Sequence, residues 1–261
     1  GQIIPLAGGW VTIEKGRIIA VGSEPEPGAQ RQDLGDVALL PALINAHAHL
    51  EFSLLSKPLG RPGQPLPRWI GEVIAYRRGG FDRRAALSAG LAECQQHGVA
   101  AVGEIATGGW QPDDYHQGHA SNSAIQLTLF HELIGFLPEV AGDRTREAAD
   151  RLNAADGDSA LNIRRGLSPH APYTVSPELL EQVVRLAGQQ GKPLAMHLAE
   201  SREELEFLAT GGGPFRDLLQ SAGVWRDGIV PPGTRPLDYL QSLLATSQGR
   251  GAPQVLAVHG N

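Results

Sequence analysis

Cysteine and methionine are almost absent from this sequence, whose 261 residues include one of each, Cys94 and Met196. A single cysteine cannot form a disulfide within the chain, which favours a reducing compartment, so we predict a cytoplasmic protein. No apolar run reaches the roughly 18 to 20 residues that a membrane-spanning helix needs. The N-terminus has no basic segment followed by an apolar one. We therefore expect neither membrane insertion nor secretion.

An excess of positive charge is also lacking. Lys and Arg number 22 against 28 Asp and Glu, which gives a formal net charge of −6. Nucleic-acid binding requires a basic face, so this class of partner is disfavoured. Hydrophobic residues make up 41% of the chain and charged residues 19%. That composition is typical of a globular protein with a sizeable core.

The first forty residues differ in pattern from the rest. Two short apolar stretches flank a turn in which Gly16 can supply the positive φ of a hairpin. A Pro/Gly-rich stretch at 24–28 then separates the hairpin from the remainder of the chain. We predict that residues 1–40 belong to a small β domain and that 41–261 form the main domain.

Apolar strands alternate with helices in the main domain. One helix is well marked, with Ser176 as N-cap, Pro177 at the first position and Gly191 after the end. Strands are predicted within 37–50, 99–106, 123–136, 161–170, 192–199 and 253–260, and helices within 68–78, 82–98, 145–155, 176–191 and 201–209. Six strands separated by helices indicate an α/β protein with a parallel sheet.

Histidines stand at the ends of several predicted strands. His47 and His49 end the first main-domain strand, where period-two alternation points both side chains to one side. His170, His197 and His259 end three further strands. The carboxyl ends of the strands of a parallel barrel meet at one rim, where active sites form. One such histidine is usually structural, but four strands ending in histidine predict a metal site at this rim.

The other histidines do not share this pattern, and we assign them no role in the site. His97 suits the C-terminus of a helix, and His116 and His119 fall in a polar loop. For His131, after the third strand, two interpretations stay open: it either faces the rim or is structural.

Glu200 follows His197 by three residues, just beyond the strand. A carboxylate beside a metal-bound water can move a proton between that water and a leaving group. The alternative is that Glu200 satisfies the N-terminus of the following helix. We predict the catalytic role.

Three segments resemble the amidohydrolase superfamily, in the branch of the cytosine deaminases and chlorohydrolases. The segment LLPALINAHAHLEFS resembles its first-strand motif, with Ala42 where glycine is usual. The segments SPHAPYTVSPELL and MHLAESREELEFL are similar to the fourth- and fifth-strand motifs of deaminases that act on adenine-bearing nucleosides. Among these the chain most resembles the aminodeoxyfutalosine and S-adenosylhomocysteine/methylthioadenosine deaminases, over nearly its whole length.

The resemblance implies a (β/α)₈ TIM-type barrel of the metal-dependent hydrolases, with residues 1–40 as part of a small β-sandwich. It also implies that one divalent metal ion, expected to be Zn²⁺ with Fe²⁺ as the alternative, is bound by His47, His49 and His197. The expected partner is a small-molecule substrate, and a homo-oligomer is common in the family.

The resemblance further implies roles for neighbouring residues. Glu200 would protonate a ring nitrogen of the substrate, His259 would hydrogen-bond the metal-bound water or the substrate, and His170 would contact the substrate. Trp69 would lie in the region that caps the pocket, or else in a helix that packs on the barrel.

Glu104 and Glu132 end the second and third strands of the predicted barrel. Both are candidates to line the site, and we assign them no role.

The expected chemistry is hydrolytic deamination of an amino-purine nucleoside. Three neutral imidazoles leave an open position at which Zn²⁺ binds water and lowers its pKa toward about 7. The metal-bound hydroxide then attacks the carbon that carries the exocyclic amine, and ammonia leaves. Alternatives are a chlorohydrolase or cyclic-amide hydrolase that uses the same site, because fold and metal do not fix the substrate, and a non-catalytic truncated relative.

The family pattern includes one further ligand, an Asp at the end of the eighth strand. Asp227 and Asp238 precede the strand of His259 and cannot take that place. We therefore expect about six of eight strands here, as part of a longer protein rather than a chain completed by a partner. The segment alone should turn over slowly, because positioned acid–base groups contribute about 10²- to 10⁴-fold.

Overall fold

The structure, a computed structural model, describes residues 6–110, 113–116, 125–153, 163–245 and 254–260, without the side chains of 113, 116 and 245. The chain divides into two compact units, Gly1–Pro41 and Ala42–Asn261. Among the described residues, no helix is both long and apolar enough to span a bilayer.

The first unit contains an antiparallel hairpin of β1 (Trp10–Glu14) and β2 (Arg17–Gly22). Its turn residues, Lys15 and Gly16, have φ of 50° and 75°. Two positive φ values in a two-residue loop match the twist of the flanking strands. The hairpin confirms the turn predicted at Gly16, while membership of a β-sandwich stays a prediction.

The second unit contains a six-stranded sheet in which neighbours in sequence are neighbours in space, and all pairs are parallel. Its strands are β3 (Leu43–Ala48), β4 (Val99–Ala106), β5 (Gln126–Leu133), β6 (Ile163–Pro169), β7 (Leu194–Leu198) and β8 (Val255–His259). The α/β class and the six predicted strands are confirmed.

Helices connect and flank these strands. They are α1 (Leu66–Gly79), α2 (Arg83–Gln96), α3 (Asp113–His116), α4 (Ala141–Asn153), α5 (Pro177–Gln190), α6 (Arg202–Thr210), α7 (Pro214–Ser221) and α8 (Pro236–Ala245). Short 3₁₀ helices span Leu50–Phe52 and Pro138–Val140. The Ser176 side chain accepts from the N–H of Leu179, and Gly191 is left-handed with φ of 59°, so α5 has the predicted ends.

The sheet curls into most of a barrel. Strands β3 and β7 are separated by three others, so in a flat sheet they would lie about 19 Å apart at about 4.8 Å per step. Nevertheless Nε2 of His47, in β3, lies 3.0 Å from Nε2 of His197, in β7. Only strong curvature brings these strand ends together, as in the predicted TIM-type barrel.

Gly103 allows β3 to approach β4 beneath the histidines. The register between these strands shifts between Asn45 and Ala48. At this irregularity the backbone of Ala46 lies over Gly103: a Cβ built there would overlap the Ala46 carbonyl oxygen and lie 2.9 Å from its carbon. A glycine inside a strand often marks such a close backbone approach.

The connection from β7 to α6 is held by Glu204. Its carboxylate is fully buried and accepts the N–H groups of Ala199, at 3.0 Å, and Glu200, at 2.8 Å. Ser201 is the N-cap of α6 and accepts from the N–H of Glu204. The S-x-x-E spacing is that of a capping box, but here the glutamate reaches further back along the chain. Thus Glu204, not Glu200, satisfies the backbone before α6.

Replacement of Gly103 by alanine should destabilise the protein by about 1–3 kcal/mol, because backbone atoms of β3 must move. Gly108→Ala is the matched control: it follows the same strand, and a Cβ there has no atom within 4 Å. Thermal unfolding of both variants tests this. If Gly103→Ala and Gly108→Ala melted at the same temperature, the packing of β3 on β4 would not require glycine at position 103.

Glu204→Gln should cost about 1–3 kcal/mol of unfolding free energy, because an amide can accept only one of the two backbone N–H groups. Glu206→Gln, an exposed position on the same helix, should change stability by less than about 0.5 kcal/mol. Urea unfolding measures both. If Glu204→Gln left the free energy of unfolding unchanged, the structural role of this carboxylate would be contradicted.

Candidate functional site

Three imidazoles converge at the carboxyl end of the sheet. His47 lies in β3, His49 follows it, and His197 lies in β7. Nε2 of His47 is 3.2 Å from Nε2 of His49 and 3.0 Å from Nε2 of His197. One N–H cannot satisfy both contacts of His47, so lone pairs face one another unless a cation lies between them. Ligands at about 2.0–2.1 Å from a tetrahedral ion lie at similar separations.

Burial keeps these histidines neutral, which is the form that binds metals. It lowers the pKa of His47 and, further, that of His49, and it lowers the pKa of His197 to about 3. Neighbouring imidazoles lower all three in the same direction. The residues present therefore fit a divalent metal ion.

A backbone carbonyl orients His197. Its Nδ1 lies 3.0 Å from the carbonyl oxygen of His170, which also accepts the backbone N–H of His197 at 2.9 Å. Because a carbonyl can only accept, Nδ1 carries the proton and Nε2 keeps the lone pair directed at the other imidazoles. A hydrogen bond of this kind is typical of metal-binding histidines.

Glu200 lies beside this cluster. The Tyr173 hydroxyl donates to its Oε2 at 2.9 Å, and the tyrosine ring stacks on Phe215 at 3.8 Å. Nε2 of His259 lies 3.4 Å from Oε1 of Glu200. The His259 ring is 5.5 Å from that of His197. A carboxyl group is thus fixed next to the three candidate ligands.

All the predicted site residues line one cavity of about 580 Å³. They are His47, His49, Trp69, His170, His197, Glu200 and His259. Trp69 lies in α1, and its indole N–H donates to the carbonyl of Leu59 at 3.1 Å. Trp69 is thus a helix residue that lines the cavity, and its role in capping the pocket stays a prediction.

Glu104 and Glu132 take different positions. Glu132 lines the cavity. The Glu104 carboxylate instead accepts the N–H of Leu50 at 2.9 Å, just after His49. Its strand neighbours Val102 and Ala106 pack in the cluster formed with α2.

Of the remaining histidines, the two whose side chains the structure describes, His97 and His131, do not line the cavity. His131 is buried, and its Nδ1 accepts the indole N–H of Trp110 at 3.2 Å, so its structural interpretation holds. His97 caps the C-terminus of α2. The side chain of His116 and the whole of His119 lie outside the described residues.

The structure contains an ion pair at the cavity wall that was not predicted from the sequence. Arg77, which lines the cavity, donates to the buried Glu51 carboxylate at 2.6 Å. The other oxygen of Glu51 accepts the Thr107 hydroxyl at 3.2 Å. This pair fixes α1 over the residues just after His49. Its partners are 26 residues apart, and no local pattern joins them.

Comparison with known proteins agrees with this geometry. The Amidohydrolase family matches residues 38–223. Aminodeoxyfutalosine deaminase of Deinococcus radiodurans is 32% identical over 219 residues, which are 80% of this chain and 49% of that protein. The 5-methylthioadenosine/S-adenosylhomocysteine deaminase of Shouchella clausii is 30% identical over 225 residues, 81% of this chain and 50% of that protein.

The fold agrees as well. The crystal structure of Helicobacter pylori aminofutalosine deaminase in complex with methylthio-coformycin superposes with a TM-score of 0.69 and 23% identity, covering 91% of this chain and 57% of that one. The chain spans about half the length of these curated relatives. Motifs, fold and histidine cluster lead to one conclusion: the chain belongs to the amidohydrolase family.

Proposed function

We propose that this protein is a metal-dependent hydrolytic deaminase that removes an exocyclic amine from an amino-purine nucleoside. One observation carries the proposal: three neutral imidazoles meet beside Glu200 in a single cavity. The names of the relatives at 30–32% identity, both deaminases, support the reaction class.

His47, His49 and His197 would hold the ion, for which we propose Zn²⁺ because neutral imidazole nitrogens suit it. A bound divalent ion supplies Lewis acidity, which lowers the pKa of water toward about 7 and makes a nucleophile available at neutral pH. The orientation of His197 by the His170 carbonyl keeps its lone pair available to the ion.

Glu200 is the candidate general acid. Its Oε2 is held by the Tyr173 hydroxyl, so the carboxyl group keeps one orientation. From there it can donate a proton to the ring nitrogen next to the amine-bearing carbon, which makes that carbon electrophilic. His259, whose Nε2 is 3.4 Å from Oε1 of Glu200, would hydrogen-bond the water or the substrate.

The cavity suits a flat heteroaromatic ring with a further substituent. Its volume of about 580 Å³ is in the range of small-molecule sites, about 300–1,000 Å³. Much of the wall is apolar, including Phe52, Ile70, Val73 and Phe136. Such walls would cover the faces of a bound ring, while the histidines and Glu200 would contact its polar atoms.

His197→Ala should remove the metal. The purified protein should contain about one zinc ion per chain, because the three imidazoles form one site, and the variant should contain almost none. His97→Ala, on the exposed end of α2, should retain the ion. Elemental analysis by mass spectrometry measures this. Equal zinc content in the wild type and His197→Ala would contradict the metal site.

Glu200→Gln should lower the rate of ammonia release from adenosine or 5′-methylthioadenosine by about 10²- to 10⁴-fold, the usual contribution of a positioned general acid. Zinc content should not change. Glu178→Gln, exposed on α5, is the matched control.

The same assay includes cytosine, guanine and a chloro-triazine, and it follows chloride as well as ammonia. Faster chloride release, or deamination of cytosine alone, would contradict the proposed reaction or its substrate class. An undiminished rate in Glu200→Gln would contradict the role of Glu200.

A further inference from the structure

Glu132 is a cavity carboxyl group without a hydrogen-bond partner among the described residues. It lies at the end of β5, is 8% exposed and lines the cavity. Among the described residues, the nearest basic side-chain nitrogen is Nε2 of His170, at 3.8 Å from Oε1, which is too far for a hydrogen bond. Within the described part of the chain, no donor lies within hydrogen-bond distance of this side chain. Its oxygens are not among the fully buried side-chain atoms without a partner, so they are reached from the cavity that Glu132 lines. A ligand in the cavity can therefore supply the hydrogen bonds that a carboxyl group at this depth usually has.

The neighbouring atom, Nε2 of His170, is also an acceptor. Nδ1 of His170 lies 2.7 Å from the Thr174 hydroxyl, which donates to the carbonyl of Ala171 at 3.2 Å. A hydroxyl has one proton, so both contacts are satisfied only when Nδ1 carries the histidine proton. Nε2 then presents a lone pair beside Glu132.

Glu132 lies on β5, two strands away from β7, which carries His197 and leads to Glu200. His170 stands between them in strand order: its ring is 5.0 Å from that of His197, the same distance as the ring of His47, and its Nε2 is 3.8 Å from Oε1 of Glu132. Because Glu200 and the candidate metal ligand His197 lie on the β7 side, we assign Glu132 to a part of the substrate other than the departing amine.

Burial of Glu132 makes a donor ligand favourable. Desolvation raises the pKa of this carboxyl to about 7, although Arg77 acts in the opposite direction. Hydrogen bonds from a ligand favour the ionised form and offset part of the desolvation. Bonds to an ionised acceptor are about twice as strong as neutral ones.

We propose that Glu132 and Nε2 of His170 accept hydrogen bonds from two adjacent hydroxyl groups on the sugar of the substrate. Adjacent hydroxyls present two donors side by side, which matches two neighbouring acceptors. This assignment rests on the proposed function, because it takes the substrate to be a nucleoside. It makes Glu132 the residue that distinguishes a ribonucleoside from a deoxy analogue or a free base.

The test uses the zinc-loaded protein and two nucleosides that lack the amine and so are not consumed, inosine and 2′,3′-dideoxyinosine. Isothermal titration calorimetry should give about 10- to 100-fold tighter binding of inosine, as expected for hydrogen bonds to a charged group. In Glu132→Gln this preference should fall by about tenfold. Glu181→Gln, exposed on α5, should keep the full preference.

Equal affinity of the wild type for the two nucleosides would overturn the inference and leave the deaminase proposal intact. The same holds if a folded Glu132→Gln keeps the full preference for inosine. The wild-type comparison needs no variant, so a folding defect in Glu132→Gln cannot hide the answer. If the protein binds neither nucleoside, the inference fails together with the proposed substrate class.

Discussion

The curvature of the parallel sheet is the constraint on which the candidate site depends. Histidines that end β3 and β7 would lie far apart in a flat sheet, yet two of their ring nitrogens are 3.0 Å apart. The close approach of β3 to Gly103 and the doubly accepting carbonyl of His170 fix the two strand ends. The geometry of the candidate metal site therefore depends on the backbone that positions the three imidazoles.

Around this backbone, buried charge is arranged in two different ways. Glu51, Glu104 and Glu204 are buried carboxylates that accept hydrogen bonds from fixed donors in the protein. Such groups hold segments next to the site, since a buried carboxylate without donors would be costly. Glu132 is also buried, though slightly more exposed, and has no such donor within the described residues. The three hydrogen-bonded carboxylates support the structure, whereas Glu132 keeps its oxygens available to accept hydrogen bonds from a ligand.

Much of this architecture could be predicted from the sequence, because its signals are local. Alternation along one strand places His47 and His49 on the same side, and α5 begins and ends at its capping residues. Local sequence signals could not show which face of β5 points into the cavity. His131 and Glu132 are adjacent and must point in opposite directions, but a strand buried on both faces is apolar on both. Which of the two faces the cavity depends on the register of the whole sheet.

Ala199 adopts a left-handed conformation with φ of 53°, directly before Glu200. Glycine would adopt this conformation at a cost lower by about 1–2 kcal/mol. A glycine would also give the unfolded segment more backbone freedom, so the entropic cost of holding Glu200 in place would rise. Alanine at this position costs backbone strain, but it restricts the conformations that the segment can adopt. The side chain of Glu200, the proposed acid, would in this way be held in position before a substrate binds, at the expense of some overall stability.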